Sequence, residues 1–260
     1  MAELSHGKGS PLPRGPLALL RSSRLVALLV PLVAGLVVLT GCSSSQADGQ
    51  QKKQQQVSKY ASYIATVKKS LNKVDVYDHP HDAEPAWRLS NPNRYGARRV
   101  FLIEGENKKW LKVLLPIRPN GTKGWIHKSD VSLSRTTYRV EIALSAHQIT
   151  VHKGKKKVLQ GPIAVGTGQA PTPGGEYYIT ELVKSPNPNG DYGPYVFGLS
   201  AYSQKYERYA GGVGEIGIHG TNKPQLLGKN VSHGCIRMSN KDIKKLAGML
   251  PLGTPVTIKK

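Results

Sequence analysis

Cysteine is nearly absent from this sequence: 260 residues contain two, Cys42 and Cys235. At most one intramolecular disulfide is possible, so no cysteine scaffold stands in for a hydrophobic core. Acidic residues are scarce as well, with 16 Asp and Glu against 37 Lys and Arg and a formal net charge of +21. Such a chain attracts polyanions, whether nucleic acid, anionic lipid or an acidic polymer, and charge alone does not choose among them. The apolar run at residues 25–39, LVALLVPLVAGLVVL, is too short for an ordinary membrane span. As a helix it reaches only ~22 Å, against a hydrocarbon core of ~30 Å. No repeat of solenoid length is visible. What is present is an ordinary share of hydrophobic residues, 38%, in a chain long enough to bury one large or two small cores, which excludes disorder of the whole.

Lys8, Arg14, Arg21 and Arg24 precede the apolar run. A basic start followed by a short apolar stretch reads as a secretion signal. The run ends in Leu39-Thr40-Gly41-Cys42, which resembles a bacterial lipobox. That resemblance implies a signal peptide over residues 1–41, cut before Cys42, and a diacylglyceryl group on Cys42. Two acyl chains are enough for stable anchoring. The alternative is an uncleaved, short anchor with Cys42 incidental; in both cases residues from 43 onward face the outside. With Cys42 lipidated, Cys235 is left unpaired, either an intermolecular link or a reactive thiol.

Residues 42–64 form the expected tether. SSSQADGQQKKQQQVSK has no apolar periodicity and too little apolar surface to offset its conformational entropy. Residues 65–134 follow a different pattern, short apolar bursts (VDVYDHP, RVFLIEG, WLKVLLPIRPNG, GWIHKSDVSL) separated by Asn, Pro and Gly. These predict a small module of tightly turned strands. Its second half resembles a bacterial SH3-like β-barrel module, with Trp110 and Trp125 expected in the core. His79, His81 and His127 have no metal-like spacing.

Residues 136–260 predict a mainly β domain with one short helix. YRVEIALS, HQITVHK, KVLQGPIAVG and EYYIT read as strands, with Lys155–Lys157 at a hairpin tip and His147 and His152 at the surface. In SNKDIKKLAGMLPLGTPVTIKK, Ser239 or Asn240 caps a helix and Asp242 suits its N-terminal dipole. Ile243, Leu246, Ala247 and Leu250 share one face, and a last strand follows.

Between the strand near 215–218 and that helix lies IHGTNKPQLLGKNVSHGCIRMSN, residues 218–240. A thiol there becomes a nucleophile if a base removes its proton and backbone amides hold the oxyanion of an attacked carbonyl. His219 is the candidate base. Gly234 allows close backbone approach, and the amides of Gly234 and Cys235 are candidate oxyanion donors. Ser232 and His233 are candidate orienting groups. Two other readings of the same residues stand beside this one: a buried structural thiol, and a zinc site of His219, His233 and Cys235. Tyr195 and Tyr202 are candidate cleft residues.

The 218–243 segment is similar to the active-site signature of the YkuD family of L,D-transpeptidases, a histidine, a loop, then Ser-His-Gly-Cys and a hydrophobic residue. PIAVGTGQAPTPGGEYYI is similar to that family's upstream segment. The resemblance covers residues 136–260 and implies a YkuD-like β-sandwich catalytic domain without metal or cofactor. It implies that Cys235 attacks the carbonyl between the diamino acid and the terminal D-alanine of a peptidoglycan tetrapeptide stem, with His219 as base and then acid. A second stem's amine then captures the acyl-enzyme as a 3→3 cross-link. His219 would be oriented by the Gly220 carbonyl or by Ser232. Many members have Asn two residues after the cysteine, where this chain has Arg237; an arginine there can pair with the donor's terminal carboxylate or form a structural ion pair.

The expected partners are peptidoglycan stem peptides and, through the lipid anchor, the membrane, with no nucleic acid. The expected place is the outer face of the bacterial cytoplasmic membrane, facing the wall. Two alternatives remain: a noncatalytic peptidoglycan-binding envelope lipoprotein, and the same acyl-enzyme discharged to water or a free D-amino acid.

Overall fold

The computed structural model describes residues 59–209 and 211–260. The expected signal peptide, Cys42 and residues 42–58 of the expected tether lie outside the described residues. Among the described residues no helix is long and apolar enough to cross a membrane.

The first module contains β1 (Ser62–Val67), β2 (Lys73–Val76), β3 (Trp87–Ser90), β4 (Val100–Asn107), β5 (Trp110–Leu114), β6 (Lys123–His127) and β7 (Val131–Thr136). Five of these form an antiparallel sheet in the order β6-β5-β4-β1-β7, and β2 pairs with β3. Residues 62–64, read from the sequence as tether, are strand. SYIATV buries Ile64, Ala65 and Val67 and pairs residue by residue with β7, from Ser62↔Thr136 to Val67↔Val131. Phe101, Leu111, Val113 and Ile126 complete the core. Trp110 is buried, its ring edge-on to Tyr77 with centroids 5.1 Å apart. Trp125 is only half-buried, with the Lys112 ammonium 5.8 Å from its ring centre.

The second module runs through β8 (Tyr138–Ala143), β9 (Gln148–Lys153), β10 (Lys156–Pro162), β11 (Val165–Gly166), β12 (Gly175–Lys184), β13 (Tyr195–Tyr202), β14 (Glu215–His219), β15 (Asn230–Ser232), β16 (Ile236–Arg237), α1 (Asn240–Ala247) and β17 (Pro255–Lys259). Eight strands make one mixed sheet, ordered β10-β9-β8-β17-β12-β13-β14-β16; β11 and β15 form a separate parallel ribbon. Alternating Val140, Ile142, Ile149 and Val151 supply one end of the core, and Ile216, Ile218 and Ile236 the other. The β9–β10 hairpin turns at Gly154 and Lys155, with Gly154 at φ +58 where a side chain would be strained. Of the three lysines expected at the tip, Lys156 and Lys157 belong to the strand.

Helix α1 is capped by Ser239, whose Oγ accepts the Asp242 amide at 3.1 Å. Ile243 and Leu246 are fully buried, each contributing about 1.5–3 kcal/mol over an exposed position. Asn240, the other candidate cap, turns elsewhere: its Oδ1 accepts the Thr221 amide at 2.9 Å and ties the helix start to the loop after His219. The two modules share a small apolar cluster of Ile64, Val100, Leu114 and Tyr178.

Candidate active site

Strand parity assembles the site. β14 and β16 pair in parallel with Ile218 opposite Ile236 and His219 opposite Arg237. Ile216, Ile218, Ile236 and Met238 point into the core, so the residues between them, His219, Cys235 and Arg237, fall together on the other face. Gly217 stands one step before Ile218, as Cys235 stands one step before Ile236, and its backbone hydrogen-bonds the Cys235 thiol.

Cys235, His219, Arg237, Ser232 and His233 line one cavity of about 100 Å³. A second, wider groove of about 340 Å³ reaches Cys235 past Val183, Val196 and Tyr192. His219 is 3% exposed, and its Nδ1 lies 2.6 Å from the Gly220 carbonyl oxygen. A carbonyl only accepts, so Nδ1 carries the proton and the neutral ring keeps its lone pair on Nε2. Burial pushes the His219 pKa down to about 4; the Gly220 hydrogen bond opposes this, and the nearby Arg237 charge adds to it. The Cys235 thiol is pushed up by burial, while the Gly217 backbone and the Arg237 charge pull it back. The resting pair is therefore a neutral thiol and a neutral imidazole at pH 7.

The two groups expected to compete for His219 divide the work. Gly220 holds the ring. Ser232 instead braces the Cys235 loop, its Oγ donating to the Cys235 carbonyl at 2.6 Å and accepting the Gly234 amide at 3.1 Å. That amide is thus engaged, and Gly234 contributes through its conformation, φ +119, which a side chain would strain. His233 is exposed; its ring stacks on Tyr209 with centroids 4.9 Å apart and its Nδ1 is 2.9 Å from the Tyr209 hydroxyl. Among the described residues no group of three His, Cys, Asp or Glu is placed to hold a metal ion.

Arg237 lines the cavity, and its Nε is buried without a hydrogen-bond partner. Its positive charge lies near the thiol, and among the described residues no carboxylate forms an ion pair with it.

Several lining residues escaped the sequence reading. Tyr195 packs on the core and Tyr202 sends its hydroxyl to the Pro116 carbonyl at 2.8 Å; the tyrosines at the cavity are Tyr192, Tyr206 and Tyr209. The Tyr192 ring sits 4.8 Å from His219. Thr172, in the upstream PTPGG stretch, is buried and bridges two elements. Its hydroxyl donates to the Gly234 carbonyl at 2.8 Å and accepts the Gly166 amide at 2.9 Å. A threonine between two prolines carried no signal beyond the motif it belongs to.

Comparison with known proteins adds to this geometry. Residues 137–258 match the family model of YkuD, the L,D-transpeptidase catalytic domain. Over 121 residues the chain is 40% identical to the YkuD protein of Bacillus licheniformis and 41% identical to that of Bacillus subtilis (strain 168). Each alignment takes in 46% of this chain and 65% of the relative, so the chain spans somewhat less than two thirds of the curated relatives it matches. An L,D-transpeptidase crystal structure from Mycobacterium tuberculosis H37Rv aligns over 72% of this chain and 77% of its own, at 18% identity and a TM-score of 0.41. By the family model and the Bacillus relatives, residues 137–258 are similar to the L,D-transpeptidase catalytic domains of the YkuD type.

Proposed function

We propose that the chain cross-links peptidoglycan through a thioester on Cys235. The observation that carries the reading is that Cys235 and His219 line one cavity, with the imidazole fixed by Gly220 so that Nε2 is its basic nitrogen. In the first half-reaction Nε2 takes the thiol proton as Sγ attacks the carbonyl between the diamino acid and the terminal D-alanine of a tetrapeptide stem. The tetrahedral oxyanion is held by backbone amide, the Cys235 amide being the candidate since Ser232 engages that of Gly234. The carbon–nitrogen bond breaks, the imidazolium returns its proton to the departing amine, and D-alanine leaves. In the second half-reaction the side-chain amine of another stem attacks the thioester, His219 takes the proton of that amine, and the thiol is regenerated as the 3→3 amide forms.

Arg237, in no ion pair among the described residues, suits the carboxylate that ends the donor stem. The second groove reaching Cys235 gives a separate approach for an acceptor, which favours transfer over hydrolysis. We further propose that the chain works as a lipoprotein anchored through Cys42 at the outer face of the cytoplasmic membrane, with the first module between anchor and enzyme.

Intact-mass measurement after exposure to a carbapenem tests the nucleophile. The expected result is one adduct per chain, absent from Cys235→Ala, together with cross-linked dimer and free D-alanine when disaccharide tetrapeptide is supplied. Folded wild-type protein with no mass shift would overturn the acyl-enzyme reading.

A further inference from the structure

The first module does more than link an anchor to an enzyme. Arg118, between β5 and β6, reaches into the connection between β13 and β14, residues 203–214. Its Nη1 donates to the Val213 carbonyl at 3.0 Å, and its Nη2 to those of Ser203 at 3.2 Å and Tyr206 at 2.8 Å. Two of these acceptors lie on the outgoing limb of the connection and one on the returning limb, so a single guanidinium draws both limbs together. The same group lies 4.6 Å over the Tyr202 ring.

Neighbouring residues reinforce the grip. Asn120 binds Tyr202 in both directions, its Oδ1 accepting the amide and its Nδ2 donating to the carbonyl, each at 2.8 Å. The Tyr95 hydroxyl donates to Glu215 Oε2 at 2.7 Å. Gly214, at φ +70, passes so close to the Tyr206 carbonyl and to Arg118 that a Cβ there would overlap the carbonyl. What the clasped stretch carries is one wall of the reactive cavity: Ser203, Tyr206, Tyr209 and Gly214 face Cys235 across it. Tyr209 joins that wall to the loop that carries Cys235 through His233.

We infer that Arg118 is a positioning residue for the catalytic domain, and that the first module thereby shapes the cavity in which the stem peptide sits. The inference rests on the proposed function for its substrate, while the clasp itself is independent of it. A lysine does not substitute: one ammonium cannot present a planar fork to carbonyls on two limbs and also lie flat on Tyr202.

The test uses the full chain, wild type, Arg118→Gln and Arg118→Lys, with two readouts. Amide hydrogen exchange is expected to quicken at least tenfold at Ser203, Tyr209 and Gly212, whose amides bond within the connection, and to stay at the wild-type rate in α1. KM for disaccharide tetrapeptide is expected to rise fivefold or more with kcat within about twofold, and Arg118→Lys is expected to follow Arg118→Gln. Unchanged exchange in the connection, or wild-type KM and kcat in Arg118→Gln, overturns the inference. If the wild type itself turns over no donor, the proposed function has failed. The second readout then becomes the ratio of Cys235 modification by a bulky aromatic disulfide to that by iodoacetamide: a rise in Arg118→Gln supports the clasp, and no change overturns it. Should Arg118→Gln not fold, Asn120→Ala, which removes only the paired bonds to Tyr202, is measured in the same way.

Discussion

The Nδ1 of His219 lies 2.6 Å from the carbonyl oxygen of its own neighbour, Gly220, and this contact fixes which nitrogen keeps its lone pair. Burial holds the ring neutral down to about pH 4. Nitrogen-15 NMR at pH 7 is expected to show a neutral ring protonated at Nδ1. The rate of carbapenem acylation is expected to fall on the acid side only as pH approaches about 4, and His219→Gln is expected to lose 10²-fold or more. An acid limb near pH 6.5 would contradict the burial of this histidine.

Two buried groups oppose each other in stability. His219, ordinarily near 6.5, is lowered to about 4, so between those values the unfolded state binds the extra proton and stability rises with pH. Glu181, 4% exposed and accepting from Asn93 Nδ2 at 2.8 Å, is raised by burial from 4.5 to about 7. Between those values the native state binds the proton and stability falls with pH. Each effect is on the order of 3 kcal/mol over its range. Urea midpoints are expected to change little between pH 4.5 and 6.5 in the wild type. In His219→Gln stability is expected to rise as pH falls through this window, and in Glu181→Gln to fall.

Among the described residues Arg237 has no carboxylate in an ion pair with it. A charge-assisted pair contributes about 1.5–3 kcal/mol, so Arg237→Gln is expected to raise the donor KM roughly 10- to 100-fold. A donor with an amidated C-terminus is expected to bind the wild type as weakly as the natural donor binds the variant, and to be indifferent to the substitution. Additive losses in this two-by-two comparison would sink the substrate role.

Thr172 joins the upstream motif to the loop that carries Cys235. Thr172→Val leaves the Gly166 amide and the Gly234 carbonyl without this partner in a buried place, at about 1–3 kcal/mol for each group. Thr172→Ser keeps the hydroxyl and is expected to retain most of the stability. Denaturant titration separates the two, and carbapenem acylation of the valine variant is expected to slow alongside.

Much of the site was legible because it obeys strand parity. In EIGIH and CIRM the isoleucines alternate with His219, Cys235 and Arg237, and alternation puts those three on one side. The hairpins and the amphipathic helix were legible for the same local reason. Residues 62–64 were misread because the burst that identifies β1 begins inside a polar stretch. The cavity tyrosines were misplaced because a chain of turns between two strands carries no period. The Tyr206 carbonyl is bonded by Arg118, 88 positions away, and the Tyr209 hydroxyl meets His233, 24 positions away.

The sequence by itself determined which groups the candidate site would hold: a thiol, a histidine at a strand end, a glycine before the thiol and an arginine two residues beyond. Each follows from residue type, spacing and period. The tertiary structure decided which partner each group takes. Gly220 rather than Ser232 holds His219, Ser232 engages the Gly234 amide, Asn240 gives up the cap to bind Thr221, and the first module grips the cavity wall. Hydrogen-bond partners are chosen by which groups burial brings within about 3 Å of one another, and that depends on packing between segments far apart in the chain.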